Sequence, residues 1–280
     1  KLMGTARFGV CVTQLNLLID TMIASFLVSG SISWLYYSDR LMEFPLGILA
    51  VALGTVVLPG LSKSHAQQSS RAFNDMLDWG LRLLLILGVP SAVGLALLAQ
   101  PMIATLFQSG VFDAHDVTMA TYSLWAYSLG LIGFMLIKVL APGFYSRQDT
   151  RTPVRIAVIA MVANMVMNLI FVMPLKHAGL ALATSLAAIL NAWLLYRGLR
   201  REGVYTPCEG WGWILSRILI ASLLMVVAIV MLNPAQEFWL GQQRLDKALY
   251  LAGLITAGAI TYFSVLYIFG VRMQHFRHRP

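Results

Sequence analysis

Eight stretches of this chain stay apolar for about twenty residues or more: 6–28, 32–61, 77–98, 117–141, 154–173, 179–197, 212–232 and 248–270. A helix needs about 20 such residues to cross the hydrocarbon of a bilayer. The pattern therefore predicts an all-α, polytopic membrane helix bundle with eight transmembrane helices. Composition points the same way: 59% of the residues are hydrophobic and 11% charged, too few polar side chains to cover a soluble fold of this size. The stretch 99–116 is too polar to span, and its Pro101, Gly110, Asp113, His115 and Asp116 suit a loop or short surface helix. The second span is long enough to tilt or kink, and Pro45 with Gly47 supplies the means.

The net charge of +8 does not indicate a nucleic-acid partner, because the basic residues lie in short loops between apolar runs instead of forming one patch. They act as topology signals. Fifteen of the twenty Lys and Arg, from Lys1 and Arg7 through Arg147, Arg151 and Arg200 to Arg279, fall on one side of the eight spans, and Lys176, Arg244 and Lys247 fall on the other. Cytoplasmic loops carry the excess, so both ends are expected to be cytoplasmic. Trp211 and Trp213 at one mouth, and Trp239 at the other, suit interfacial anchors. Cys11 and Cys208 suggest no disulfide framework. The start, Lys1-Leu2-Met3-Gly4, has neither an initiator methionine nor a signal-cleavage pattern, and suggests a truncated chain.

Arg40 and Lys138 fall inside spans. Lys138 lies a few residues from the cytoplasmic end of its helix, where snorkelling accounts for it. Arg40 lies roughly 14 Å below the outer end of the second span, within Asp39-Arg40-Leu41-Met42-Glu43. It shares a face with Glu43, Tyr36 and Gly47, whereas Asp39 sits about 100° round the helix. One reading is an internal ion pair that lets the helix pack in a bundle. The favoured one is the wall of a water-filled cavity whose guanidinium recognises an anionic substrate, since Arg binds phosphate bidentately.

A second constellation comprises Asp20 in the first span, Asn164 and Asn168 in the fifth, and Thr184 in the sixth, all roughly 8–14 Å from the same outer surface by residue count. Such oxygen-bearing side chains suit a hard cation, here Na⁺, with Asp20 supplying the compensating charge. The alternative is ordinary interhelical hydrogen bonding, although a carboxylate at membrane depth costs roughly 2.5–3.5 kcal/mol on insertion scales. No phosphate-binding Gly-rich loop, HExxH or CxxC occurs, and no other cofactor is indicated.

Two long motifs and one short one resemble a known family. Ser38-Asp39-Arg40-Leu41-Met42-Glu43-Phe44-Pro45-Leu46-Gly47, continuing to Leu58-Pro59-Gly60-Leu61-Ser62, resembles the MurJ/MviN lipid II flippases. So do Ala141-Pro142-Gly143-Phe144-Tyr145-Ser146-Arg147-Gln148-Asp149-Thr150-Arg151-Thr152-Pro153 and Pro174-Leu175-Lys176-His177-Ala178-Gly179-Leu180. The resemblance implies a fourteen-helix exporter of the multidrug/oligosaccharidyl-lipid/polysaccharide superfamily. Residues 1–200 would then be its second six-helix lobe and 201–280 two additional carboxy-terminal helices, with the amino-terminal lobe missing. It also implies a central cationic cavity for the pyrophosphate-sugar head group and a groove along the extra helices for the lipid tail. Arg40, with Asp39 and Glu43, matches the second-lobe cavity residues.

The implied activity is non-enzymatic: lipid II, the undecaprenyl-pyrophosphate-linked peptidoglycan precursor, is moved from the cytoplasmic to the periplasmic leaflet of the bacterial inner membrane by alternating access. The alternatives are an exporter of another lipid-linked oligosaccharide or of a small cation, a non-transporting scaffold, and a membrane-embedded glycosyltransferase or ligase. The last would need catalytic groups in an outer loop, where Asp113, His115 and Asp116 are the candidates.

Overall fold

The computed structural model describes residues 18–241 and 243–271. Those residues are almost entirely helical. Residues 18–25 form α1, followed by α2 (Ser31–Ala66), α3 (Ser70–Leu97), α4 (Ala99–Leu106), α5 (Ala114–Tyr145), α6 (Arg151–Arg201), α7 (Trp211–Leu232), α8 (Gln236–Gly241) and α9 (Arg244–Ile268). Residues 6–17 of the first expected span, Cys11 and the basic tail from Arg272 onward lie outside the described residues.

The long helices α3, α5, α6, α7 and α9 are each apolar and long enough to cross a membrane, and α2 passes as a pair of segments bent by 43° between Leu49 and Ala52. The bend falls just beyond Pro45 and Gly47. α6 is two spans joined by a reversal. Pro174 has no amide to continue the ladder, and Lys176 departs from helical geometry at φ 51°, ψ −127°. At Gly179 a Cβ would collide with the Phe171 carbonyl, so only glycine lets the returning helix pass so closely. The two arms of α6 correspond to the fifth and sixth expected spans. The polar stretch 99–116 holds the short α4 and a turn closed by a Ser109–Phe112 bridge.

α5 is the central column, packed against α2, α3 and α6. Its start is fixed by a capping box: Asp113 accepts from the amides of His115 and Asp116, and Asp116 accepts from the amide of Asp113. Gly133 admits the second arm of α6 at backbone distance, since a Cβ there would lie 2.8 Å from the Ile189 nitrogen. Buried hydroxyls bridge the helices, with Ser38 donating to the Ala120 carbonyl and Ser185 to that of Ala126, both at 2.7 Å. Trp34 ties the amino-terminal end of α2 to its neighbours: its indole donates to Asp116 at 2.7 Å and its ring meets His177 at 4.7 Å.

Two of the three tryptophans depart from expectation. Trp239 is buried, its indole bonded to the Asn233 side chain at 3.0 Å, because α8 packs against α4 and the indole ring meets Tyr250 of α9. Trp211 is half-buried and bonded to Asp78, while Trp213 is exposed as an anchor would be.

Candidate functional site

Arg40 and Glu43 of α2 lie on a face that no other described helix covers. Tyr36, Arg40, Glu43, Phe44, Gly47 and Ile48 are all exposed. The Arg40 guanidinium reaches Glu43 at 2.6 Å and stacks over the Tyr36 ring at 5.0 Å, and the Arg40 and Glu43 side chains remain 54% and 48% exposed. The ion pair therefore exists, but it does not serve to bury α2 among the described helices. It holds the guanidinium at the surface with donor atoms to spare. Asp39 sits round the helix, half-buried, and makes no ion pair with Arg40.

An apolar groove of about 360 Å³ begins beside this face. Phe44, Pro45 and Leu49 of α2 form one wall, Pro90 and Gly94 of α3 the floor, and Met225, Ile229, Tyr262 and Phe263 of α7 and α9 the other wall. Tyr262 is held by a 2.7 Å bond from its hydroxyl to the Ile86 carbonyl. A charged face and an apolar channel thus adjoin at Glu43 and Phe44.

The second candidate cluster also comes together. The Asn168 amide donates to Asp20 Oδ1 at 2.6 Å and to Asn164 Oδ1 at 3.0 Å, while Asn164 donates to the Thr184 hydroxyl at 3.3 Å. That hydroxyl lies 3.3 Å from Asp20 Oδ2 and 3.0 Å from the Leu180 carbonyl. Both asparagines are buried, and Asn168 Oδ1 has no hydrogen-bond partner. The four residues come from α1 and the two arms of α6, brought side by side by the reversal at Lys176.

The outer-loop groups considered for a ligase have structural partners. Asp113 and Asp116 cap α5, and Asp116 also holds Trp34.

A further centre carried no sequence signal. Asp78, in the third turn of α3 and only 4% exposed, accepts from Arg82 at 2.5 Å, the Tyr205 hydroxyl and Trp211 indole at 2.7 Å each, and the Cys208 amide at 3.2 Å. Arg82 donates on to the Glu209 carbonyl at 2.8 Å. Burial, and then the bond to the Asp78 carboxylate, drive the Tyr205 phenol well above its usual range. This hub pins the linker between α6 and α7. At the other end of the pair, Arg244 donates to the Leu106 carbonyl at 2.7 Å and Lys247 to Gln108 at 2.9 Å. Both ends of the carboxy-terminal pair are thereby tied to the main bundle. No motif or spacing around Asp78 sets it apart, so only its partners more than a hundred residues away mark it out.

Bent apolar spans, with a charged face left open on one of them and an apolar groove beside it, define a polytopic helical membrane bundle. The fold alone is shared with multidrug MATE transporters, one of which superposes with a TM-score of 0.62 at 17% identity over 96% of this chain and 65% of its own. Residues 1–246 match the family described as lipid II flippase MurJ. The chain belongs to that family. It is 50% identical over 98% of its length to a probable lipid II flippase MurJ of Vibrio cholerae, of which it covers 52%, and 45% identical over 99% to the lipid II flippase MurJ of Burkholderia cenocepacia, of which it covers 54%. A solved structure of a lipid II flippase MurJ in an inward closed conformation superposes with a TM-score of 0.79 at 27% identity, over 96% of this chain and 53% of that one. The chain thus spans about half the length of the relatives it matches.

Proposed function

We propose that this chain is the second half of a lipid II flippase, in which residues 1–200 complete the substrate cavity with an amino-terminal lobe and residues 201–280 add the lipid groove. The whole protein carries undecaprenyl-pyrophosphate-linked peptidoglycan precursor from the cytoplasmic to the periplasmic leaflet of the inner membrane. It acts as a transporter, with no covalent step. The two lobes alternate access about a midplane site, and both ends of the chain face the cytoplasm.

The observation that carries the reading is the junction of Arg40 with the groove that starts at Phe44. A pyrophosphate needs a fork of N–H donors in a site screened from bulk water, and its polyprenyl chain needs a continuous apolar path away from that site. Glu43 and Tyr36 hold the guanidinium in place while the ligand is absent. When a phosphate displaces Glu43, Arg40 exchanges one anionic partner for another without being stranded at membrane depth.

Asp20, Asn164, Asn168 and Thr184 are proposed to take up Na⁺. One carboxylate with amide and hydroxyl oxygens suits a monovalent ion, and rotation of the Asn168 amide would turn its unbonded Oδ1 toward the ion. The ion would join α1 to α6 and so link lobe packing to the sodium gradient.

The test is complementation of a flippase-depleted strain with the full-length protein carrying Arg40→Ala. Loss of growth at normal expression and membrane insertion is the expected outcome. Growth equal to the unaltered protein would remove Arg40 from substrate recognition.

A further inference from the structure

A second groove, sharing no lining residue with the first, lies on another face of α3. It has a volume of about 660 Å³ and is almost wholly apolar, formed by Leu81 and Leu85 of α3, Leu129 to Leu140 of α5, Ile189 to Tyr196 of α6, and Trp211 and Leu215 of α7. Its length is informative. From Leu129, midway along α5, to Leu140 near the basic side is roughly 16 Å at 1.5 Å per residue, and one leaflet of a bilayer holds about 15 Å of hydrocarbon. The groove runs from mid-membrane to one interface and stops there.

What stops it is aromatic and cationic. Tyr196, Tyr205, Pro207 and Trp211 form the rim, with Tyr205 fixed by the Asp78 hub. One helical turn further along α6, Arg197 stacks over Trp193 at 5.1 Å, and Arg200 reaches the Tyr196 hydroxyl at 3.4 Å. Neither arginine forms an ion pair with a carboxylate among the described residues, whereas Arg82 nearby is taken up by Asp78. Two guanidinium groups without a carboxylate partner among the described residues therefore lie just beyond the end of a chain-length apolar slot, where lipid phosphates would meet them.

We propose that this groove is a binding site for one anionic diacyl phospholipid, with an acyl chain along α5 and α6 and the phosphate between Arg197 and Arg200. The assignment to the cytoplasmic leaflet rests on the orientation proposed above; the site itself does not. Because the rim is the linker that the Asp78 hub pins, an occupied groove would brace the carboxy-terminal helix pair against the lobe.

The test uses the full-length protein in phosphatidylcholine nanodiscs containing a minor fraction of brominated phosphatidylglycerol or, in parallel, brominated phosphatidylcholine. Quenching of Trp193 is isolated by subtracting the signal of a Trp193→Phe variant. The anionic lipid should quench Trp193 more strongly at equal mole fraction, and its apparent affinity should fall roughly fivefold for each of Arg197→Gln and Arg200→Gln, while quenching by the zwitterionic lipid stays as it was. Filling the slot with Ala192→Trp, in a background lacking Trp193, should abolish protection of the protein by phosphatidylglycerol against thermal unfolding. Equal quenching by the two lipids, or an anionic preference that survives the double arginine substitution, would overturn the proposal. Displacement of the brominated lipid by polyprenyl pyrophosphate would overturn it too, by showing that the groove takes the transported class of lipid. None of these readouts depends on flipping, so the site and the transport reading fail separately.

Discussion

At the residue scale, single side chains matter here through what the membrane denies them. Arg40 keeps its charge on an open face by leaning on Glu43 and Tyr36, and Asp20 is held by an amide and a hydroxyl brought from α6. A cysteine gives a pH-dependent test outside the membrane. Burial first, then the negative charges of Asp78 and Asp75, push the Cys208 thiol above its ordinary value. The thiolate is the reactive form, so a raised pKa lowers its fraction at any given pH below that pKa. With Cys11 replaced, Cys208 should react with a membrane-permeant maleimide several-fold more slowly at pH 7.5 than a cysteine placed at the exposed Gln148, and the deficit should close as pH rises past 9. Asp75→Asn should speed the reaction at pH 7.5. Equal rates at both positions would mean that the linker does not sit against α3.

At the element scale, the reversal in α6 and the pinned linker do most to position the sites. The apolar runs and their breaks were legible in the sequence because the bilayer imposes a fixed length on each span and loops need Gly, Pro and polar residues. The break between the spans ending at 173 and starting at 179 thus marked the turn, and the polar stretch 99–116, expected as a loop or short surface helix, holds the short and largely buried α4 followed by a turn. Depth counting also placed Asp20 level with Asn168, which lies 148 residues away and bonds to it. The Asp78 hub was not legible, because its partners at 205–211 are brought to it by tertiary packing and no local spacing encodes them. Trp239 was misjudged for the same reason: an aromatic near a span end signals an interface only if the chain does not fold back over it. Asp78→Ala should strip the acceptor from Arg82, Tyr205 and Trp211 and destabilise the docked carboxy-terminal pair by about 3 kcal/mol, the scale of breaking one half of a buried pair. Asp78→Asn keeps one acceptor oxygen and should cost less. Thermal unfolding of the full-length protein in detergent orders the three; an Ala variant as stable as the original would show that the linker is held by apolar packing alone.

In the whole molecule, the charged face of α2, two apolar grooves and the hydrogen-bonded Asp20 cluster lie within one helical bundle. Sodium should raise the melting temperature of the full-length protein with concentration, by mass action on the folded state, and equal ionic strength from a bulky organic cation should not. Asp20→Asn should remove the sodium-specific part; its persistence would leave the Asp20 cluster as helix packing. Orientation is checked by single cysteines: those at Gln67 and Gln148 should be protected from an impermeant reagent in intact cells, and those at Ser109 and Gln236 should react. A reversed pattern at any one loop would mean a miscounted span. The central claim, that Arg40 grips the pyrophosphate of a lipid-linked precursor, is tested most directly by measuring the appearance of lipid II in the outer leaflet of cells that depend on the full-length protein. Arg40→Ala should stop that transfer, and Arg40→Lys should restore only part of it, because a point charge lacks the fork that binds phosphate through two parallel bonds. Transfer at the unaltered rate in the Ala variant, at equal protein level, would contradict the account.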